Sequence, residues 1–421
     1  MSNLPTGKSY AHKVEALGYC DFDGKPAFKL AVQEVQGRWY LYVAHLWHPG
    51  WSIVDVTDPA NPKELKTIPG PANTWTIQVQ VADGKMITAY ERMPPPWGGD
   101  AAKPYEESML IWDVSDPVNP VVISQYSVGQ ASDPKLGAPG GSGTHRNFYA
   151  GGRYVHLSLK RPGFARNMYQ IIDIADPKHP VDVGRWWQPG QWVEGGESGS
   201  DSDAWLHGGP YVVGDRVTLP YGSAGMVILD IGDMTKPREV GRLCFNPPFN
   251  PHVGTHSAIP IPSRKLAIVN SEAIKENCAE PANYVALVDT SDETKPRLVS
   301  MFPTPVPHPD APYRNFCVKG GRFGPHNQHQ HQHQKALMQN DNLIFMTWFN
   351  AGLRIFDISD IHLPREVAYF EPPDPLHRRG PLPTKLVCSS EDVLVDARGV
   401  IYMSDKNHGV YLMRAADSIY Q

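Results

Sequence analysis

Cysteine is scarce and poorly placed for chemistry. The 421 residues hold five, Cys20, Cys244, Cys278, Cys317 and Cys388, odd in number and never spaced C-x-x-C. That argues against a disulfide framework or a cysteine zinc site, and it leads to an expectation of reduced thiols in a cytoplasmic protein. The opening MSNLPTGKSYAHKVEALGY lacks the apolar core of a signal peptide, in keeping with that expectation, and no run of roughly 18 apolar residues occurs anywhere. Runs of one charge are missing too. The balance of 39 basic and 44 acidic residues gives net −5, with no electrostatic footprint for a nucleic acid or an anionic membrane. Helical periodicity is also absent, and 41 Pro with 37 Gly would break most helices, which excludes a bundle and a TIM barrel. Disorder is excluded in turn, because 11 Trp, 18 Tyr and 13 Phe supply a large core.

What the chain has instead is a repeat. Six times an apolar run enters D-x-x-D-x-x-x-P: IVDVTDPANP (53–62), IWDVSDPVNP (111–120), IIDIADPKHP (171–180), ILDIGDMTKP (228–237), LVDTSDETKP (287–296) and IFDISDIHLP (355–364). A degenerate seventh copy, GVYLMRAADS (409–418), has Arg414 at the first Asp position and keeps the second as Asp417. Asx side chains can cap such a turn and Pro fixes its φ, while the β-branched runs on either side read as strands. About four strands per unit, repeated seven times, predict an all-β, seven-bladed β-propeller spanning residues 1–421, with units ending near 62, 120, 180, 237, 296, 364 and 418. The seventh unit runs out before its own outer strand. The N-terminal KVEALGYCD (13–21) resembles the outer strands of other units, so residues 13–20 are expected to complete the last blade and close the ring.

The repeat resembles that of the LVIVD-repeat family of β-propellers, whose units carry the same apolar-Asp-x-Ser-Asp-Pro-x-x-Pro turn. The likeness covers roughly residues 13–417 and implies the fold; it is nearly silent on function. The fourth to sixth units depart from it, since DMTKP, DETKP and DIHLP lack the first Pro.

In a propeller the innermost strand of each blade lines the channel. Aligned on the turn that follows this strand, the units place His145, His207, His256 and His333 in equivalent positions, with Glu391, Thr76 and Lys29 in the other three. With 17 His in the chain, chance would put well under one in seven such places. Four convergent imidazoles predict one transition-metal ion, Fe first, with Zn, Mn or Cu as alternatives. Glu391 or Glu272 is placed to orient a ligand by accepting its second ring N–H. The run HNQHQHQHQ offers His326, His329, His331 and His333; register selects His333, and His326 is expected in a loop over the mouth, with a catalytic role. Such a ring is similar, by architecture alone, to the iron centre of carotenoid-cleaving oxygenases and to the His-rich propellers of selenium-binding proteins, which act as copper-dependent thiol oxidases.

Long loops rich in Pro and aromatics precede several ring histidines. Trp97, Trp187, Trp192, Trp205 and Phe249 are candidates to line an apolar pocket, Arg146 or Arg166 to bind a carboxylate, and Trp205, Thr76 and Lys29 to touch substrate. These residues predict a metalloenzyme acting on a small aromatic or apolar molecule, an Fe(II)-type oxygenase ahead of a hydrolase or lyase. The alternatives are a non-catalytic scaffold for protein partners and, last, nucleophilic catalysis at Ser257 or Ser271, for which no G-x-S-x-G exists. A small-molecule partner is expected rather than a nucleic acid or membrane, and a homo-oligomer is left open.

Overall fold

Each Asp-rich turn is built by its own side chains. In a computed structural model, which describes residues 4–128, 143–199, 201, 203–330 and 334–421, Asp55 accepts from the Thr57 N–H at 3.0 Å and Asp58 from Ala60 at 3.0 Å. The units without the first Pro keep the same bonds: Asp233 accepts from Thr235 at 2.9 Å, Asp292 from Thr294 at 3.0 Å and Asp360 from His362 at 2.9 Å. The Asx bond therefore sets the turn, and Pro only pre-sets φ.

The chain is all-β and propeller-like. Its first unit is an antiparallel meander of Leu30–Val35, Arg38–Ala44, Gly50–Asp55 and Lys63–Pro69. The second and third units have the same order and run together through a single pair, Gly143 opposite Glu91. In the sixth unit Tyr10–His12 adds an outer strand against Arg365–Glu371, and Gln328 bridges Met346 on the inner side. In the seventh, Val14–Cys20 pairs antiparallel with Val410–Ala415, Val14 lying opposite Ala415 and Cys20 opposite Val410. Apolar side chains pack between neighbouring sheets rather than at one centre. One such layer joins Val400, Tyr402 and Leu412 of the seventh unit to Leu30, Val32 and Leu41 of the first. Among the described residues no helix is long and apolar enough to cross a membrane.

The expectation of wholly reduced cysteines is corrected. Cys278 and Cys317 form a disulfide with Cα atoms 5.4 Å apart, while Cys20, Cys244 and Cys388 are free. A separation of 39 residues hid the pairing, because only the fold brings the loop after Leu266–Glu272 to the short helix Phe316–Lys319.

Two buried histidines make the scaffold acid-sensitive. His45 is held between the Pro26 carbonyl (2.8 Å) and the Ser52 hydroxyl (2.7 Å), and burial pushes its pKa down to about 4. His156 lies 2.7 Å from the Tyr169 hydroxyl, and burial pushes it to about 3. Both folded values lie below that of the unfolded chain, so the unfolded state binds more protons under about pH 6.5 and stability falls as pH drops. Between pH 7 and pH 5 each histidine is expected to cost about 2 kcal/mol. Urea unfolding at the two pH values checks this. His156→Phe should flatten the pH dependence by one such share, and an unchanged slope would contradict a neutral His156.

Candidate metal centre

The inner strands are irregular where the predicted ring residues sit. Pairing slips between Thr144 and Arg146, between Val253 and Ser257, and between Ser390 and Val393, so His145, His256 and Glu391 each occupy a bulge. A bulge re-aims a side chain that strict alternation would send into the sheet. His207 precedes its strand, Tyr211–Val213, in a segment pressed against the fifth unit. A Cβ on Gly208 would lie 1.6 Å from the His256 carbonyl oxygen, so this approach needs glycine.

Four imidazoles line up side by side. Ring centroids are 4.7 Å apart for His145 and His207, 5.3 Å for His207 and His256, and 4.8 Å for His256 and His326. His326, in a segment without regular strand structure, is therefore the fourth ring of the row and is buried there; its backbone N–H bonds the Thr347 carbonyl at 2.9 Å. His331 and His333 lie outside the described residues, and His329 is bonded to the Met338 carbonyl and the Val395 N–H.

Each ring is pinned by one nitrogen. His145 Nδ1 lies 2.5 Å from Glu91 Oε1, His256 Nδ1 2.9 Å from the Ser257 hydroxyl, and His326 Nδ1 2.8 Å from the Glu391 carbonyl. His207 donates from Nε2 to Glu272 Oε2 at 2.9 Å. Backing of this kind fixes the tautomer and leaves the other nitrogen for a ligand bond. Two of those nitrogens, His145 Nε2 and His207 Nδ1, are buried without a hydrogen-bond partner. Burial pushes His207 down to about 4 and His256 well below the usual imidazole range, so both are neutral with lone pairs available near neutral pH. Glu272 stands among them, 3.6 Å from His256 Nε2 and 3.8 Å from His326 Nε2. Burial opposes its ionisation, and the hydrogen bond from His207 Nε2 favours the ionised carboxylate against it. Ligand atoms of His207, His256 and Glu272 all lie within 4.8 Å of one another, close enough to hold a metal ion. Buried imidazole nitrogens without a partner, in a row that also holds a carboxylate, fit that role.

Above this row is a cavity of about 210 Å³ walled by Phe28, Leu46, Trp75, Ile77, Trp97 and Trp205. Trp97, from the turn Pro95–Trp97, covers Arg322 at 5.1 Å and the Lys406 ammonium at 4.5 Å. Arg146 borders both this cavity and a small polar chamber below it. Of the other expected residues, Glu391 reaches the cavity and binds Lys406 at 2.7 Å; burial opposes its ionisation, and Lys406 outweighs it. Trp205 packs edge-on against His207 with ring centroids 4.4 Å apart. Two expectations are corrected. The Thr76 hydroxyl accepts from the Gly50 N–H (2.9 Å) and donates to the Gly50 carbonyl (2.8 Å), clamping two units together. Lys29 is bonded to Asp392 at 2.9 Å and faces the lower chamber, not the cavity. Trp187 and Trp192 pack on each other, and Phe249 on Tyr284, away from the cavity. Glu91, Trp75, Arg322 and Lys406 were missed. All lie outside the innermost-strand positions the register compares, although Glu91 sits opposite Trp75 on the neighbouring strand.

Residues 35–68 match the LVIVD repeat family. Three solved structures share the fold at low identity. A putative 6-phosphogluconolactonase from Bacteroides fragilis is 13% identical with a TM-score of 0.50, covering 82% of this chain and 85% of that one. A streptogramin B lyase is 12% identical with a TM-score of 0.50, covering 97% and 98%. A periplasmic gluconolactonase from Pseudomonas aeruginosa is 11% identical with a TM-score of 0.50, covering 78% and 80%. No curated protein matches the chain.

Proposed function

We propose that this β-propeller of LVIVD repeats is a metal-dependent enzyme acting on a small aromatic or apolar molecule. The supporting observation is the row of four imidazoles, each pinned from behind, in which His145 Nε2 and His207 Nδ1 are buried and unpartnered. Two such atoms on adjacent rings of one row favour a ligand there over a non-catalytic scaffold. His145, His207, His256 and His326 would hold the ion, with Glu272 beside them. The seven four-stranded units are read as blades of a closed ring, sealed by Val14–Cys20, which gives the inner strands the rigidity a metal site needs.

An all-imidazole set suits Fe(II), which would supply dioxygen activation at this position. The chain's own residues do the rest. Trp75, Trp97 and Trp205 exclude water and press on the flat faces of a substrate. A cavity of about 210 Å³ admits only a small molecule. Glu272 Oε2, bonded to His207 Nε2, is placed to take and return a proton. That carboxylate also favours a second reading, hydrolysis or lyase chemistry with a His-His-Glu ligand set around zinc or manganese.

Elemental analysis of protein purified without added metal tests the proposal. About one equivalent of a transition metal is expected; less than about 0.2 equivalents, unchanged by reconstitution, would sink it. Iron, with dioxygen uptake on adding small aromatic substrates, supports the first reading, and zinc or manganese with oxygen-independent turnover the second.

A further inference from the structure

Five buried cations among the described residues sit on carboxylates. Lys29 pairs with Asp392 at 2.9 Å, Lys319 with Glu371 at 2.6 Å, Arg322 with Glu272 at 3.3 Å, Arg354 with Glu366 at 3.3 Å and Lys406 with Glu391 at 2.7 Å. Arg146 departs from this rule. It is 6% exposed, yet no carboxylate among the described residues comes within ion-pair distance. Its Nη2 donates to the His256 Nε2 lone pair at 3.1 Å, its Nη1 reaches Asn327 Oδ1 at 3.5 Å, and its Nε has no partner. Carboxylates act on it only from beyond ion-pair distance, and a buried charge without a direct partner is costly, which favours a ligand that would complete it.

Position says which ligand. Arg146 borders the cavity whose walls are Phe28, Leu46, Trp75, Ile77, Trp97 and Trp205. A guanidinium fork takes a planar carboxylate in two parallel bonds, and the rings above it take an aromatic or apolar body. We infer that the substrate is a small aromatic or apolar carboxylate whose anionic end is held by Arg146. This rests on the cavity being the substrate site, as proposed above. It also accounts for the bond to His256. The lone pair that Arg146 holds is the one a metal would take, so loading frees Nη2 and sets a second positive charge beside it. An anion reaching Arg146 then relieves both, and metal and carboxylate should each tighten the other's binding.

Benzoate and its neutral counterpart benzamide are the probes, followed by quenching of the cavity tryptophans in metal-free and metal-loaded protein. Benzoate is expected to bind roughly tenfold to a hundredfold tighter than benzamide. In Arg146→Gln the preference should fall to within about twofold, and Arg146→Lys should keep part of it as a point charge. Circular dichroism checks that each variant is folded, and the comparison in the unaltered protein stands even where a variant is not. Equal binding of the two probes, absence of saturable benzoate binding in either form, or a preference kept in folded Arg146→Gln overturns the inference. A preference that depends on Arg146 in a protein that takes up no metal upholds it while removing the metalloenzyme reading.

Discussion

His256→Ala is expected to strip the metal from the protein and leave the propeller folded. His256 belongs to the three-residue group whose ligand atoms lie within 4.8 Å of one another, and it is the ring that touches both Glu272 and Arg146. Its removal takes away a neutral nitrogen that no neighbour can replace. Metal affinity should fall by more than about a hundredfold, beyond the ten- to hundredfold usual for a residue that only backs a ligand. His207→Ala should do the same. Glu91→Gln sets the scale from the other side: it acts through His145 Nδ1, so its loss belongs in the ten- to hundredfold range. Structural cost is contained, because His256 borders the 20 Å³ lower chamber and sits in a bulge of strand Val253–Ile261, whose pairing with Leu266–Glu272 runs from Ser257 to Ile261. Metal per chain after gel filtration and chelator competition measures the effect, with far-UV circular dichroism and melting reporting the fold. Full metal retention in both alanine variants would show that the imidazole row does not hold the ion.

The gradation from ligand to backing residue also marks how far the sequence could be read. The turns were legible because one side chain makes them: Asp at a fixed offset bonds the N–H two residues on, whatever follows, so the three copies without the first Pro are as visible as the three that have it. His145, His207 and His256 were legible because the same turn gives a fixed count back to the inner strand. His326 was not, since it lies in a segment without regular strand structure, and the residue that the count selects, His333, lies outside the described residues. Glu91 and Arg322 carry no register signal at all; they matter through what faces them across a blade boundary. The Cys278–Cys317 bond escaped for the same reason, being a contact between two loops rather than a spacing. Thr76 and Lys29 occupied correct inner positions but faced neighbours instead of the cavity, a choice set by local twist that alternation alone does not fix.

The seam between the seventh and first sheets should prove the most fragile polar contact in the fold. Asp392 bonds Lys29 Nζ through Oδ1 at 2.9 Å and accepts from the Leu30 N–H through Oδ2 at 3.0 Å, while its own N–H donates to the Ser404 hydroxyl at 3.0 Å. Ser404 in turn donates to the Phe28 carbonyl, so one side chain and its neighbour tie strand Ser390–Val395 to the entry of Leu30–Val35. Both charges are buried, with side chains 4% and 0% exposed. Lys29→Met leaves the Asp392 carboxyl without its partner in a dry setting, and Asp392→Leu leaves the ammonium and the Leu30 N–H unpaired. Each is expected to cost about 3–5 kcal/mol, against at most about 1 kcal/mol for a typical exposed ion pair. The double variant Lys29→Met, Asp392→Leu removes both charges together and should recover much of the loss, because what destabilises is the orphaned partner and not the missing attraction. Urea unfolding of the four proteins completes the cycle. Single-variant losses under about 1 kcal/mol would mean that the apolar layer of Val400, Tyr402 and Leu412 against Leu30, Val32 and Leu41 holds this seam without the ion pair.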